Sequence, residues 1–191
     1  MPAARESLLE AASVALSGRP WPSVRMVDVA AAAGVSRQTL YNEFGGKAGL
    51  GRALVRREAD WYLDGVDRVL RAPAASGGDR LASVAEWTVR AARARPLVRA
   101  LLTGSWDGTL PMPPGQGARP GVPAPAPGEL ARAVRERAAA VLAPGDGAQQ
   151  CELAVRLALS YVIAPARDPG LGELLGLLRL LSEPTRTAGG R

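Results

Sequence analysis

Histidine is absent from this chain, cysteine occurs once, at Cys151, and lysine, phenylalanine and asparagine occur once each, at Lys47, Phe44 and Asn42. Without histidine the commonest general base and the middle member of most nucleophilic triads are missing, and the usual zinc-ligand sets cannot be assembled. A single cysteine closes no internal disulfide. Carboxylates, tyrosines, Cys151 and Lys47 are all that remain for catalysis, and the acids are scattered over polar faces. The expectation is a protein that is not an enzyme and holds no cofactor or metal. Apolar runs long enough to span a membrane are missing too, and Arg5, Glu6 and Glu10 interrupt any signal-peptide core near the start, so a cytoplasmic location is expected.

What the chain does have is a hydrophobic fraction of 47% over 191 residues, enough to bury the core of one or two small domains. Ala, Arg, Gly, Leu and Pro dominate, as in products of GC-rich genomes. Against that background the rare residues Asn42, Phe44 and Lys47 sit together beside Tyr41. The clustering is either chance or chemistry. Charge is uneven as well. Between Arg19 and Arg57 seven basic residues (Arg19, Arg25, Arg37, Lys47, Arg52, Arg56, Arg57) oppose Asp28 and Glu43, a local net of +5 out of +6 for the whole chain. Just beyond, Glu58, Asp60, Asp64 and Asp67 face only Arg68. A basic field confined to one segment suits a polyanionic partner; a merely solvated basic surface is the plain alternative.

Periodicity predicts an all-α chain. A first helix spans residues 5 to 16, carrying Leu8, Leu9, Ala12, Ala15 and Leu16 on one face, and Gly18 ends it. Trp21 lies in a turn and packs onto the small domain. A second helix begins after Ser23, a candidate N-cap, and finishes at Ala33. Ser36 caps a third. Gly45-Gly46 breaks the chain before a long fourth helix from Lys47 to about Leu70, with Leu50, Leu54, Trp61 and Val66 inside. Asp79 is a candidate cap for a fifth helix reaching about Arg95, whose buried side holds Leu81, Val84, Ala85, Trp87, Thr88 and Ala92. Pro96 opens a sixth that ends at Gly104. Residues 105–127, rich in Pro, Gly and Ala, read as a flexible loop with only Trp106, Leu110 and Met112 to anchor it. A seventh helix runs from Glu129 to Leu142 with Val141 on its apolar stripe, an eighth from about Gln149 to Ile163, and a ninth from Leu171 to Leu181.

The stretch from Val27 to Lys47 reads as two short helices meeting at a glycine turn. Ala30 permits close approach, Gly34 can take the positive φ of a sharp reversal, and Val35 and Leu40 supply the apolar contact. Gly34-Val35-Ser36, Thr39-Leu40-Tyr41, Phe44 and Lys47 resemble the helix-turn-helix signature of TetR-type transcriptional regulators, over roughly residues 5 to 56. The resemblance implies an N-terminal helix-turn-helix DNA-binding domain, residues 1–48, joined by the long fourth helix to a helical ligand-binding and dimerisation domain, residues 49–185. Two positions depart from the pattern. Where the family often opens the second helix with a phosphate-touching Thr, this chain has Arg25 or Met26. Before Phe44 stands Glu43, which would be repelled by phosphate; it faces a cytosine amino group, pairs with an Arg, or points away.

The expected DNA contacts are Arg37 and Gln38 to base edges, Thr39 to a thymine methyl or a phosphate, and Tyr41 and Lys47 to phosphates. Arg25, Ser36 and Asn42 complete the set. Lys47 opens a helix, where exposed amides and the dipole already favour an anion. One short recognition helix reads few base pairs, so a homodimer on a palindromic double-stranded operator is expected. Candidates for its seam are Glu152, Arg156, Leu159, Leu171, Leu174, Leu175 and Leu178 on the last two helices. Glu152 and Arg156 form either an ordinary i, i+4 pair or a register device across the seam. Trp87, Leu101, Leu102, Trp106, Met112 and Tyr161 either line a pocket for a small, largely apolar effector or are plain core. The leading expectation is a ligand-responsive repressor. A helical protein-interaction adaptor with a purely structural helix-turn-helix is the rival, and salt-dependent retention on random DNA separates the two.

Overall fold

The computed structural model describes residues 2–74, 76–111, 127–142, 147–164, 172, 173 and 176, and every element of regular structure among them is helical. In chain order these are α1 (Pro2–Gly18), a 3-10 turn (Trp21–Ser23), α2 (Met26–Ala32), α3 (Arg37–Phe44), α4 (Lys47–Arg71), α5 (Gly77–Ala94), α6 (Pro96–Thr103), α7 (Pro127–Val141) and α8 (Gly147–Ile163). No described helix is long and apolar enough to cross a membrane. The ninth helix expected from Leu171 to Leu181 lies outside the described residues, apart from Gly172, Glu173 and Gly176.

The chain divides into two compact units, Met1–Asp60 with Pro96–Ala126, and Trp61–Arg95 with Pro127–Arg191. This division by packing falls inside α4, whereas the functional division expected at residue 48 falls at its start. In the first unit α1, α2 and α3 pack on one another, burying Leu8, Leu9 and Ala12 of α1, Val29 and Ala30 of α2, and Leu40 and Phe44 of α3. Leu50 and Leu54 of α4, one turn apart, are buried as well, together with the neighbouring Val55. Each fully buried Leu of this set contributes about 1.5–3 kcal/mol. In the second unit α8 lies against both α5 and α7. Ala85 and Ala92 of α5 and Ala154 and Ala158 of α8 are buried, and side chains this small let helices approach closely.

Four local expectations need correction. Ser23 is not an N-cap: it closes the 3-10 turn, and α2 starts after Arg25, which makes no side-chain cap bond. The cap of α5 is Ser76 rather than Asp79. The Asp79 N–H donates to Ser76 Oγ at 3.1 Å and the Ser76 hydroxyl donates to Asp79 Oδ2 at 2.8 Å, so Asp79 is the first-turn residue that Ser76 caps. Trp61 and Val141, expected inside, are half-buried; the Arg95 guanidinium covers the Trp61 ring at 3.9 Å. The start of the expected loop is tied down: the Trp21 N–H donates to the Thr109 carbonyl at 2.7 Å, and Leu110 and Pro111 are buried. Residues 112–126 of that segment lie outside the described residues.

Candidate nucleic-acid interface

The turn between α2 and α3 is built by backbone bonds. Gly34 takes φ +67°, its N–H donates to the Ala31 carbonyl at 3.1 Å, and the Val35 N–H reaches back to the Ala30 carbonyl at 3.0 Å. This pair of bonds is a Schellman ending, which needs the left-handed residue that glycine supplies without cost. Ser36 then opens α3 by accepting the Thr39 N–H at 3.0 Å, and the two hydroxyls lie 2.9 Å apart. At the far end Gly45, φ +69°, donates its N–H to the Tyr41 carbonyl at 2.8 Å.

Between these caps α3 has two faces. Leu40 and Phe44 point into the core, while Arg37, Gln38, Tyr41 and Asn42 are exposed, Tyr41 by 49%. A large aromatic left half in solvent beside polar groups is unusual for a core-forming helix. Gln38 Nε2 donates to Asn42 Oδ1 at 2.8 Å, so the two amides form one unit on the outer surface. Thr39 is half-buried, with its hydroxyl engaged by Ser36. Lys47 donates from Nζ to the Pro22 carbonyl at 2.8 Å and lies 5.5 Å from the centroid of the Trp21 ring. One of its three N–H donors is thus used internally.

Arg25 grips Asp28 through Nε and Nη2, each at 3.1 Å, and Arg19 stands 3.4 Å from the same carboxylate. The hydrogen bond from Arg25 holds the Asp28 carboxyl below its ordinary range and raises the guanidinium in turn. Arg57 is paired with Glu6 and Glu10 of α1. The basic field is therefore narrower than the residue count implied. The Glu43 question also resolves. Of the three expected alternatives, the structure has Glu43 paired with an Arg, with Oε2 3.7 Å from Arg5 Nη1. Arg5 was not singled out from the sequence, because its partner is 38 positions away and no spacing rule connects them.

The residues nominated for an effector pocket are distributed between the two units. Leu101 and Leu102 are buried on α6 and Trp106 is half-buried after it, all in the first unit. Trp87 and half-buried Tyr161 belong to the second, and Met112 lies outside the described residues. Trp87 is packed as core: its Nε1 donates to the Tyr62 carbonyl at 3.1 Å and its ring lies directly against Gly65. A surface cleft of about 420 Å³ beside α5 is lined by Glu86, Val89, Arg90, Arg93 and Ala94, none of them nominated. Of the seam residues, Leu171, Leu174, Leu175 and Leu178 lie outside the described residues. Leu159 is half-buried. Glu152 accepts from Arg156 at 3.0 and 2.6 Å within α8 and stands 3.7 Å from Arg135 of α7. Sequence reasoning missed Leu153 and Ile163, which leave 46% and 64% of their surface exposed on the outer side of α8. Cys151 is buried, which pushes its thiol up to about 12 and leaves it unreactive at neutral pH.

Residues 8–54 match the family described as "Bacterial regulatory proteins, tetR family". The HTH-type transcriptional regulator AlkX of Mycobacterium tuberculosis is 39% identical over 100 residues, 52% of this chain and 47% of that protein, so the match spans about half the length of each. Among solved structures, the TetR-family repressor AlkX from a Dietzia species, implicated in biodegradation of n-alkanes, superposes with a TM-score of 0.57 at 21% identity over 93% of both chains. A tetR-family regulator from Streptomyces coelicolor gives 0.57 at 23% identity, covering 93% of this chain and 78% of that one. At these identities the structural matches carry the fold alone.

Proposed function

We propose, from the match of residues 8–54 to the tetR family of bacterial regulatory proteins, that this chain is a cytoplasmic, homodimeric repressor of that kind, which reads a palindromic DNA operator and releases it on binding a small, largely apolar effector. One observation carries the reading. Helix α3 is capped at both ends, anchored by Leu40 and Phe44, and turns Arg37, Gln38, Tyr41 and Asn42 outward on a single exposed surface. Arg and the amides carry the donor and acceptor patterns that read base edges, and Tyr and Lys suit phosphate oxygens. Lys47 opens α4 with two N–H donors left over after Pro22, set beside exposed backbone amides.

Dimerisation is supported by the exposed Leu153 and Ile163 on α8, next to the nominated Glu152, Arg156 and Leu159. Two heads so joined would engage half-sites about one helical turn, or a multiple of it, apart. The effector would act by favouring a spacing of the heads that fits those half-sites poorly.

The deciding experiment is selection of bound duplexes from a random pool. Enrichment of a palindrome supports dimer, operator and readout together; no enrichment rejects the proposal. Lys47→Ala should weaken binding on selected and random duplexes alike and reduce the slope of log affinity against log salt by about one. An unchanged slope removes Lys47 from the interface.

A further inference from the structure

Glu43 is the one acid on the recognition helix, and an arginine from a different helix meets it. Arg5 of α1 donates from Nη1 to the Glu43 carbonyl oxygen at 3.4 Å, and the same nitrogen is 3.7 Å from Glu43 Oε2. Its guanidinium carbon lies 4.6 Å from the centroid of the Phe44 ring, which is buried. All three contacts converge on the last turn of α3, where carbonyls lack intrahelical partners and the helix dipole favours a cation. An exposed ion pair is weak on its own, but here the flat guanidinium lies over the Phe44 ring while its Nη1 meets both the carbonyl and the carboxylate, a combination that the compact, strongly hydrated ammonium of lysine reproduces poorly.

We propose that Arg5 is a positioning residue for DNA recognition: it holds the C-terminal end of α3 on α1, and thereby sets how α3 enters the major groove, without itself contacting phosphate. Ser36 and the Gly34 turn fix the other end of α3 from within the motif. Arg5 is the matching tie from outside it. The inference rests on the DNA-binding reading above. Its consequence is selective. Base contacts depend on helix orientation, whereas phosphate contacts from flexible side chains tolerate small displacements, so loosening this tie weakens binding to the right sequence more than to any sequence.

The test titrates the full chain onto the duplex enriched by selection and onto a random duplex across a salt series. Wild-type protein that binds neither duplex rejects the DNA-binding reading itself, whatever Arg5 does. Given wild-type binding, Arg5→Ala should lose about tenfold on the enriched duplex and at most about twofold on the random one, with the salt slope unchanged. Arg5→Lys keeps the charge but not the flat group over the Phe44 ring and should lose the same preference; it carries the test alone if Arg5→Ala proves poorly folded. Equal losses on both duplexes with a slope smaller by about one would make Arg5 a phosphate contact and overturn the proposal. So would a lowered melting temperature with an unaltered ratio between the duplexes, or no change in either variant.

Discussion

Gly51 and Gly65 lie on the same helix, α4, and each is overlaid by a tryptophan, one in each unit of the chain. A Cβ at Gly51 would stand 3.2 Å from Trp21 and 3.0 Å from Pro111. At Gly65 it would stand 2.0 Å from Trp87, well inside the indole. Trp21 is held at its edges, by a backbone bond to Thr109 and by the Lys47 ammonium near its ring. Trp87 is held on every side: its Nε1 on the Tyr62 carbonyl, Trp61 at 4.9 Å, and the guanidiniums of Arg68 and Arg90 at 5.7 and 5.8 Å. Both tryptophans are buried to the same degree, but Trp87 lies much closer on its glycine than Trp21 does on its own. The first unit adds to its buried leucines the caps and turns that hold the polar groups of α3 outside.

The comparison can be broken most forcefully at Trp87. Trp87→Ala should cost about 3–5 kcal/mol in denaturant unfolding, and Gly65→Ala about 2–3 kcal/mol through overpacking. Because both act on one contact, the double variant should fall short of their sum. Additive costs, or a neutral Gly65→Ala, would mean the indole does not rest on the helix backbone. Gly51→Ala should cost only about 1 kcal/mol, since Pro111 and the Trp21 ring need to give by a few tenths of an ångström. A loss equal to that at Gly65 would erase the distinction between the units.

The smallest effect is a pH response confined to the head. The Asp28 carboxyl is held below its ordinary 3.8 by the hydrogen bond from Arg25. Its contribution is therefore present above that value and is lost as pH falls through the lowered one. Asp28→Asn should be slightly less stable than wild type at neutral pH, with the difference vanishing in acid. A gap that persists below the carboxylate range would assign it to shape rather than charge. In the second unit burial pushes the Tyr62 hydroxyl and the Cys151 thiol upward, so neither ionises at neutral pH.

Much of this was legible along the chain, and the legible parts share a cause. Gly34, Ser36 and Gly45 act on backbone groups within a few residues of themselves, and the stripes of α1, α4 and α5 follow from helical spacing. Ser76 and Asp79 are both capping types, and only the position of the first helical turn separates the α5 cap from the residue it caps. Lys47 is expected at a phosphate from its place at the start of a helix; its bond to Pro22, 25 positions earlier, is invisible to any local rule. Likewise residue type does not show that Trp87 and Tyr161 fall in one unit and Leu101, Leu102 and Trp106 in the other.

By itself, then, the sequence determined the described helices, the sharp turn after Ala33 and the outward polar set on α3, because each is a matter of spacing or of one residue's own conformational range. Tertiary structure alone decided that Glu43 is answered by Arg5, that Trp21 is tied to Thr109, and that Trp87 fills the space left by Gly65. Those contacts join residues 38, 88 and 22 positions apart, and such a contact exists only once several helices have packed and brought two unrelated surfaces within a few ångströms.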